Sequence, residues 1–197
     1  LSEVEMTGAV TGSGASTKAG SAKLTFSGAV SFGSLRVDQG TVQIGNGGTS
    51  GELAGPVQVD AVLAFNRSDA SVFAGVLTGS GLVEKSGAGA LTLSGANGGF
   101  GGVVKVLDGA LRIGSAAGLG GGSAVMEAGR LSGSDASTAR VFAGAVSMKG
   151  SVALGDVTNS APLTLSGPIT LSGALSLTVD SSVVLSGGIG DGGSGHG

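Results

Sequence analysis

Residues 79–95 read GSGLVEKSGAGALTLSG, and residues 12–28 read GSGASTKAGSAKLTFSG. Gly79 matches Gly12, Lys85 matches Lys18, Leu91 matches Leu24 and Gly95 matches Gly28, each pair 67 residues apart. A fixed interval of this kind marks one unit built repeatedly and stacked on itself. The echo extends outward. QGTVQIG at 39–45 aligns with DGALRIG at 108–114, and VQVDAVLAFNRSDASVFAGVLTGSG at 57–81 has a looser partner in AVMEAGRLSGSDASTARVFAGAVSMKGS at 124–151. LTLSG returns at 163–167. A shorter rhythm runs inside the long one: Leu91, Leu111 and Leu131 are twenty apart, while Leu24, Val42 and Leu63 are eighteen and twenty-one apart. Three units of about 22 residues fit one long interval, inside the range of roughly 20 to 50 residues that solenoids and propellers use.

Within these units the apolar period is two. Leu91 and Leu93 flank Thr92, Val104 and Val106 flank Lys105, Leu111 and Ile113 flank Arg112, and Val42 and Ile44 flank Gln43. Alternation of this kind predicts half-buried strands. The segments are short and bounded by Gly, Ser, Asn or Asp, and a helix would suffer about 1 kcal/mol for each Gly in place of Ala. Three short strands joined by turns make one coil, and about nine coils stacked in parallel at about 4.8 Å would form a rod about 40 Å long. Inward Leu, Val, Ile and Phe would pile in columns, with Gly95, Gly109, Gly114 and Gly129 at the corners. An antiparallel sandwich would explain the alternation but not the 67-residue echo. The expected fold is therefore all-β, a parallel β-helix or β-solenoid, forming one segment over 1–197. Its long repeats span approximately 12–78, 79–150 and a truncated 151–197.

Composition narrows the function classes. Of 197 residues 42 are Gly, about three times the usual share of about 7 %. Disorder would need low hydrophobicity and high net charge, whereas 41 % of this chain is apolar, 12 % charged, and the net charge is −3. Gly does not recur at every third position and Pro numbers 3, so collagen is excluded. Without Cys there are no disulfides or thiolate metal sites. No 18-residue apolar run offers a transmembrane helix, and the lack of Trp and Tyr argues against a membrane barrel with aromatic girdles. Ten scattered basic residues give no footprint for nucleic acid, and no basic amphipathic helix suits a membrane surface. The chain starts at Leu1 without a signal-peptide pattern, and SGGIGDGGSG at 186–195 resembles the lead-in to Leu82, so it reads as a piece of a longer rod.

The segment 79–114, GSGLVEKSGAGALTLSGANGGFGGVVKVLDGALRIG, resembles the passenger-associated repeat of bacterial autotransporters. Gly79, Gly81, Lys85, Gly87, Gly89, Leu91, Leu93, Ser94, Gly95, Asn97, Gly101, Gly102, Gly109 and Leu111 fall in the slots of that repeat. Val83 replaces a Leu in phase, and Gly98 stands where an aromatic is usual, with Phe100 close by. The copy at 12–45 keeps the Gly, Lys and LTFSG core but lacks the Asn–Gly–Gly turn. The resemblance implies a right-handed parallel β-helix within a surface-exposed or secreted passenger of type V secretion. It also implies a parent chain whose export signal and C-terminal β-barrel translocator lie outside this segment. Absence of Cys suits a chain threaded unfolded through a pore.

The inventory of catalytic groups is thin. The sole histidine, His196, sits in a Gly-rich tail, so most triad and zinc arrangements cannot be assembled. GIGDGG at 188–193 satisfies G-x-G-x-x-G without the helix that a dinucleotide site needs. GGIGD at 187–191 is similar to the calcium-binding nonapeptide, but its Asp comes one residue early and no second copy occurs. Asn66–Arg67–Ser68 spells a glycosylation sequon of little weight in a bacterial protein. Paired carboxylates for glycoside chemistry would come from different coils, the candidates being Asp60, Asp69, Glu84, Asp108, Glu127, Asp135 and Asp156. Asp69 and Asp135 recur in matching places (NRSDAS, SGSDAS) and read as turn-forming, while Lys18 and Lys85 read as outward side chains with buried stems. The expectation is a structural passenger segment with no catalytic, cofactor or metal residues. An adhesin or self-association module is the alternative, and a polysaccharide-active enzyme a third reading.

Overall fold

Short alternating strands interrupted by Gly can bury their apolar halves by winding into a coil whose strands pair with those of the turns before and after. The chain does this in the computed structural model, which describes residues 3–192. It is an all-β solenoid of about nine turns, 2 % helical, built from parallel stacked coils. Each turn places strands on up to three faces. The first face begins with Val4–Met6, Lys23–Phe26, Thr41–Ile44, Val62–Asn66 and Leu82–Ser86. It continues with Val103–Val106, Ser123–Met126, the leading parts of Val146–Leu154 and Ile169–Val179, and Ile189–Gly190. One inward column on it is Val4, Leu24, Val42, Leu63, Val83, Val104, Ala124, Val146, Ile169, Ile189, in steps of 18 to 23 residues. Leu91, Leu111 and Leu131 stack in the same way on the second face. The short rhythm read from the sequence is thus the rise of the solenoid, turn by turn.

The second face is split. Val10–Thr11, Ala29–Ser31 and Glu52–Ala54 form one small sheet, while Ser71–Phe73, Ala90–Leu93, Ala110–Ile113, Gly129–Gly133 and the trailing parts of the two long strands belong to another. The third face carries Ala15–Lys18, Ser34–Val37, Val57–Val59 and Leu77–Thr78, then Arg140–Phe142, Leu163–Leu165 and Val183–Leu185. Between these two groups the face is made by a short 3-10 turn, Asn97–Gly99, and by turns around the buried Leu119.

The long interval is not a whole number of turns. Leu24 pairs with Val4 and Val42 on the first face, whereas Leu91 pairs with Ser71 and Leu111 on the second. Sixty-seven residues span three turns and one further strand, so the two copies of the phrase lie one face out of phase.

One continuous core fills the coil. Val37, Leu63, Val83, Leu93, Val106, Leu111, Met126, Leu131, Leu154 and Leu165 are completely buried, each contributing roughly 1.5–3 kcal/mol. Phe65 and Phe73 meet with ring centroids 5.7 Å apart. The high Gly content has a geometric cause at the corner before the first-face strands from Leu82–Ser86 onward. Gly81, Gly102, Gly122, Gly144, Gly167 and Gly187 stack there, and a Cβ on each from Gly102 onward would overlap the carbonyl oxygen of the glycine one turn below. Among the corner glycines named from sequence, Gly109 and Gly129 have positive φ, while Gly95 lies under a close backbone approach from Gly75.

Candidate functional sites along the rod

Lys85 corrects the outward reading. It occupies an inward column between Phe65 and Val106 and is 2 % exposed. Its Nζ donates to the carbonyls of Ser86 (2.9 Å), Gly87 (2.7 Å) and Asp108 (3.1 Å), the last one turn further on. The corner makes this possible: Gly87 at φ 74° turns the chain so that successive carbonyls point at one spot. Burial pushes the ammonium down to about 8, partly opposed by the charge of Asp108. Lys18, half-buried, repeats the trio with Ala19 O (3.0 Å), Gly20 O (2.6 Å) and Gln39 O (3.2 Å). Its corner joins the third face to the first, whereas that of Lys85 joins the first to the second.

Asn97, fully buried, spans three successive turns. Its Oδ1 accepts from Leu77 N–H (2.8 Å) and its Nδ2 donates to Gly118 O (2.7 Å). An amide serves here because it offers a donor and an acceptor on opposite sides of one planar group.

Five of the seven acidic candidates, Asp60, Asp69, Glu127, Asp135 and Asp156, pair with basic side chains. Asp60 accepts from Arg36 (2.9 Å) and Gln58 (2.8 Å). Asp69 receives both Nε and Nη2 of Arg67, each at 2.8 Å, and these bonds hold its carboxyl below the usual range. Arg67, 7 % exposed, also donates to Thr49 O (2.7 Å) and Gly51 O. Asp135 takes the N–H groups of Thr138 (2.6 Å) and Ser137 (2.9 Å), which depress it to about 2, and pairs with Arg140 (2.9 Å). Arg140, 8 % exposed, reaches on to Ile113 O (3.0 Å). Asp156 pairs with Arg112 (3.3 Å) and caps Thr158 and Asn159. Its burial alone would raise the carboxyl, but those bonds carry it well below the usual range. Asp108 accepts from Gly109 N–H (2.7 Å), Glu127 lies 3.4 Å from Lys105 and 3.8 Å from Lys149, and Glu84 stands beside Lys105 in the ladder.

Asp135 is therefore turn-forming, as its recurrence indicated, whereas Asp69, read in the same way, binds the side chain of Arg67. The arginines that accompany the two SDAS segments were missed from sequence. Arg67 precedes its aspartate by two residues and Arg140 follows its own by five, so no common spacing marks them. The sequon Asn66–Arg67–Ser68 coincides with the first of these ties. In the GGIGD segment Gly187 belongs to the stacked glycine column and Ile189 pairs with Ile169. His196, and Gly193 of the G-x-G-x-x-G match, lie outside the described residues. Among the described residues no group of three or more His, Asp or Glu side chains could hold a metal, and no helix is long and apolar enough to cross a membrane.

A crevice of about 1020 Å³ opens where the second face is split. Leu53, Ala54 and Pro56 line one side, Val72, Phe73 and Val76 the other, with Ile44 and Phe65 at its floor. Val72 is 65 % exposed on its rim. The looped corner GNGGTSG at 45–51 lies beside it, and Arg67, which also lines the crevice, donates to Thr49 O and Gly51 O of that corner.

Comparison with protein families matches the passenger-associated-transport-repeat at residues 17–44 and 83–113. No curated protein and no solved structure matches the chain. The first match contains Lys18 and its acceptor Gln39, and the second contains Lys85, Asn97 and Asp108. With parallel turns stacked about nine deep and these two matches within them, the chain is a β-solenoid carrying the passenger-associated-transport-repeat of autotransporter passengers.

Proposed function

We propose that this chain is a structural segment of a bacterial autotransporter passenger. It holds other regions away from the cell and, by adding turns as it emerges, helps draw the polypeptide outward. The carrying observation is the stack of about nine turns bearing the transport repeat. Its place is then the cell surface or the secreted fraction, and its partner in cis is the C-terminal β-barrel translocator of the same polypeptide. Asp60, Asp69, Asp135 and Asp156 support a scaffold rather than glycan chemistry, because arginine ties occupy their carboxylates. To test this, the segment is placed between an export signal and a barrel translocator, and surface exposure is scored by protease access on intact cells. The parent sequence should reach the surface. Leu93→Asp, which buries an unpaired charge, should unfold its turn and stall export. If Leu93→Asp melts and is exported like the parent, the reading fails.

An adhesive or self-associating role is the second reading, favoured by the apolar crevice and the exposed Val72 at its rim. Sedimentation and cell-aggregation assays test it. A strictly monomeric segment whose display aggregates no cells would count against it.

A further inference from the structure

Lys18 and Lys85 stand on different faces of the solenoid and turn different corners, yet their ammonium groups meet the same three acceptors. In each case Nζ takes the carbonyl of the next residue, the carbonyl of a glycine two residues on, and a carbonyl of the following turn. The glycines share one conformation, Gly20 at φ 75° and Gly87 at φ 74°. The cross-turn acceptors Gln39 and Asp108 each precede a positive-φ glycine, Gly40 at 67° and Gly109 at 69°. The faces differ, although the residues between lysine and cross-turn acceptor keep part of the repeat, Leu24 matching Leu91 and Gly28 matching Gly95. What meets at the ammonium in both is a lysine, a glycine two positions later, and a residue–glycine pair 21 or 23 positions beyond the lysine. Three carbonyls converging on one point match the three donors of a primary ammonium, and a planar guanidinium cannot reproduce that geometry.

We propose that these corners are primary-ammonium binding sites, filled in cis by the lysine of the repeat, and that each ties one turn to the next wherever in the coil it falls. The site belongs to the corner, and the lysine is its tethered ligand. The assignment goes beyond the export reading and is independent of it, since it is tested on the isolated 197-residue chain in solution.

The experiment is rescue by a free amine. Lys85→Ala removes the side chain beyond Cβ, and n-propylammonium supplies the missing atoms. At neutral pH the substitution should lower the folded-to-unfolded ratio about tenfold or more, as expected for part-buried carbonyls that lose a charged donor. Adding n-propylammonium chloride should recover stability and refolding rate in this variant and leave the parent unchanged. Tetramethylammonium chloride at equal concentration, which has no N–H, should recover neither, and Lys85→Arg should remain as weak as Lys85→Ala. Should Lys85→Ala fail to fold without amine, refolding in propylammonium but not in tetramethylammonium carries the same conclusion, and Lys18→Ala provides a second corner. The proposal is overturned if Lys85→Ala is as stable as the parent, if tetramethylammonium rescues as well as propylammonium, or if neither alanine variant responds to the amine.

Discussion

Individual side chains hold this rod together at points where the backbone alone would leave gaps. Asn97 is the sharpest case, because Leu77 N–H and Gly118 C=O reach it from the turns on either side. Asn97→Ala deprives both groups, and each buried group left unpaired costs about 1–3 kcal/mol. Urea unfolding of that variant should therefore show a markedly lower midpoint, whereas substituting exposed Ser68 should leave it unmoved. The carboxylates give the rod a pH signature. Asp69, Asp135 and Asp156 all titrate below their ordinary range in the folded chain. The unfolded chain therefore binds more protons as the pH drops below about 4, and the stability these groups supply at neutral pH is lost toward pH 2. Asp135→Asn should flatten part of that acid slope, measured as the midpoint of thermal unfolding between pH 5 and 2. The inward lysine was hidden from sequence for a physical reason: three carbonyls gather around Lys85 only after the corner has closed and the next turn is in place. Arg67 and Arg140 were hidden in the same way, since their carbonyl acceptors come from other turns.

Strands and corners were more legible than single residues. Alternation such as Leu91–Thr92–Leu93 and the recurrence of Leu near every twentieth residue named both the inward positions and their neighbours above and below, because a parallel ladder puts equivalent residues of successive turns side by side. The face on which each copy sits was not legible. The phrase encodes a strand, a corner and the next strand, and this unit occurs at two different corners. Hence Leu24 and Leu91 match in sequence yet stand on different faces. The glycine column belongs to this scale. Gly122 lies hard against Gly102 O, while the neighbouring Gly121 faces open space. Gly122→Ala should cost about 1–3 kcal/mol through forced displacement of backbone. Gly121→Ala should change stability by no more than about 0.5 kcal/mol, and thermal unfolding of the pair separates the two cases.

Across the described residues, the solenoid has no closed sheet and no layered domain core. Each turn is stabilised by its neighbours, and stability is close to a sum over turns and the contacts between them. This suits a chain that folds progressively, because every added turn buries another rank of the core. The split in the second face interrupts the hydrogen-bonded ladder there, while the first-face ladder runs past it from Thr41–Ile44 to Val62–Asn66. Amide exchange should therefore be faster at Glu52–Ala54 and Ser71–Phe73 than at the first-face strands of the same turns. The central claim is the parallel stacking of turns, and cysteine pairs on the second face test it directly. Outward positions 90 and 92 lie opposite 110 and 112, as Ala90 to Ala110 and Thr92 to Arg112. Double variants carrying Cys at 90 and 110, or at 92 and 112, should both oxidise readily in the folded chain, and the combinations 90 with 112 and 92 with 110 should not. Ready oxidation of the crossed combinations alone would mean that these strands run antiparallel, and the stacked-turn account would be wrong.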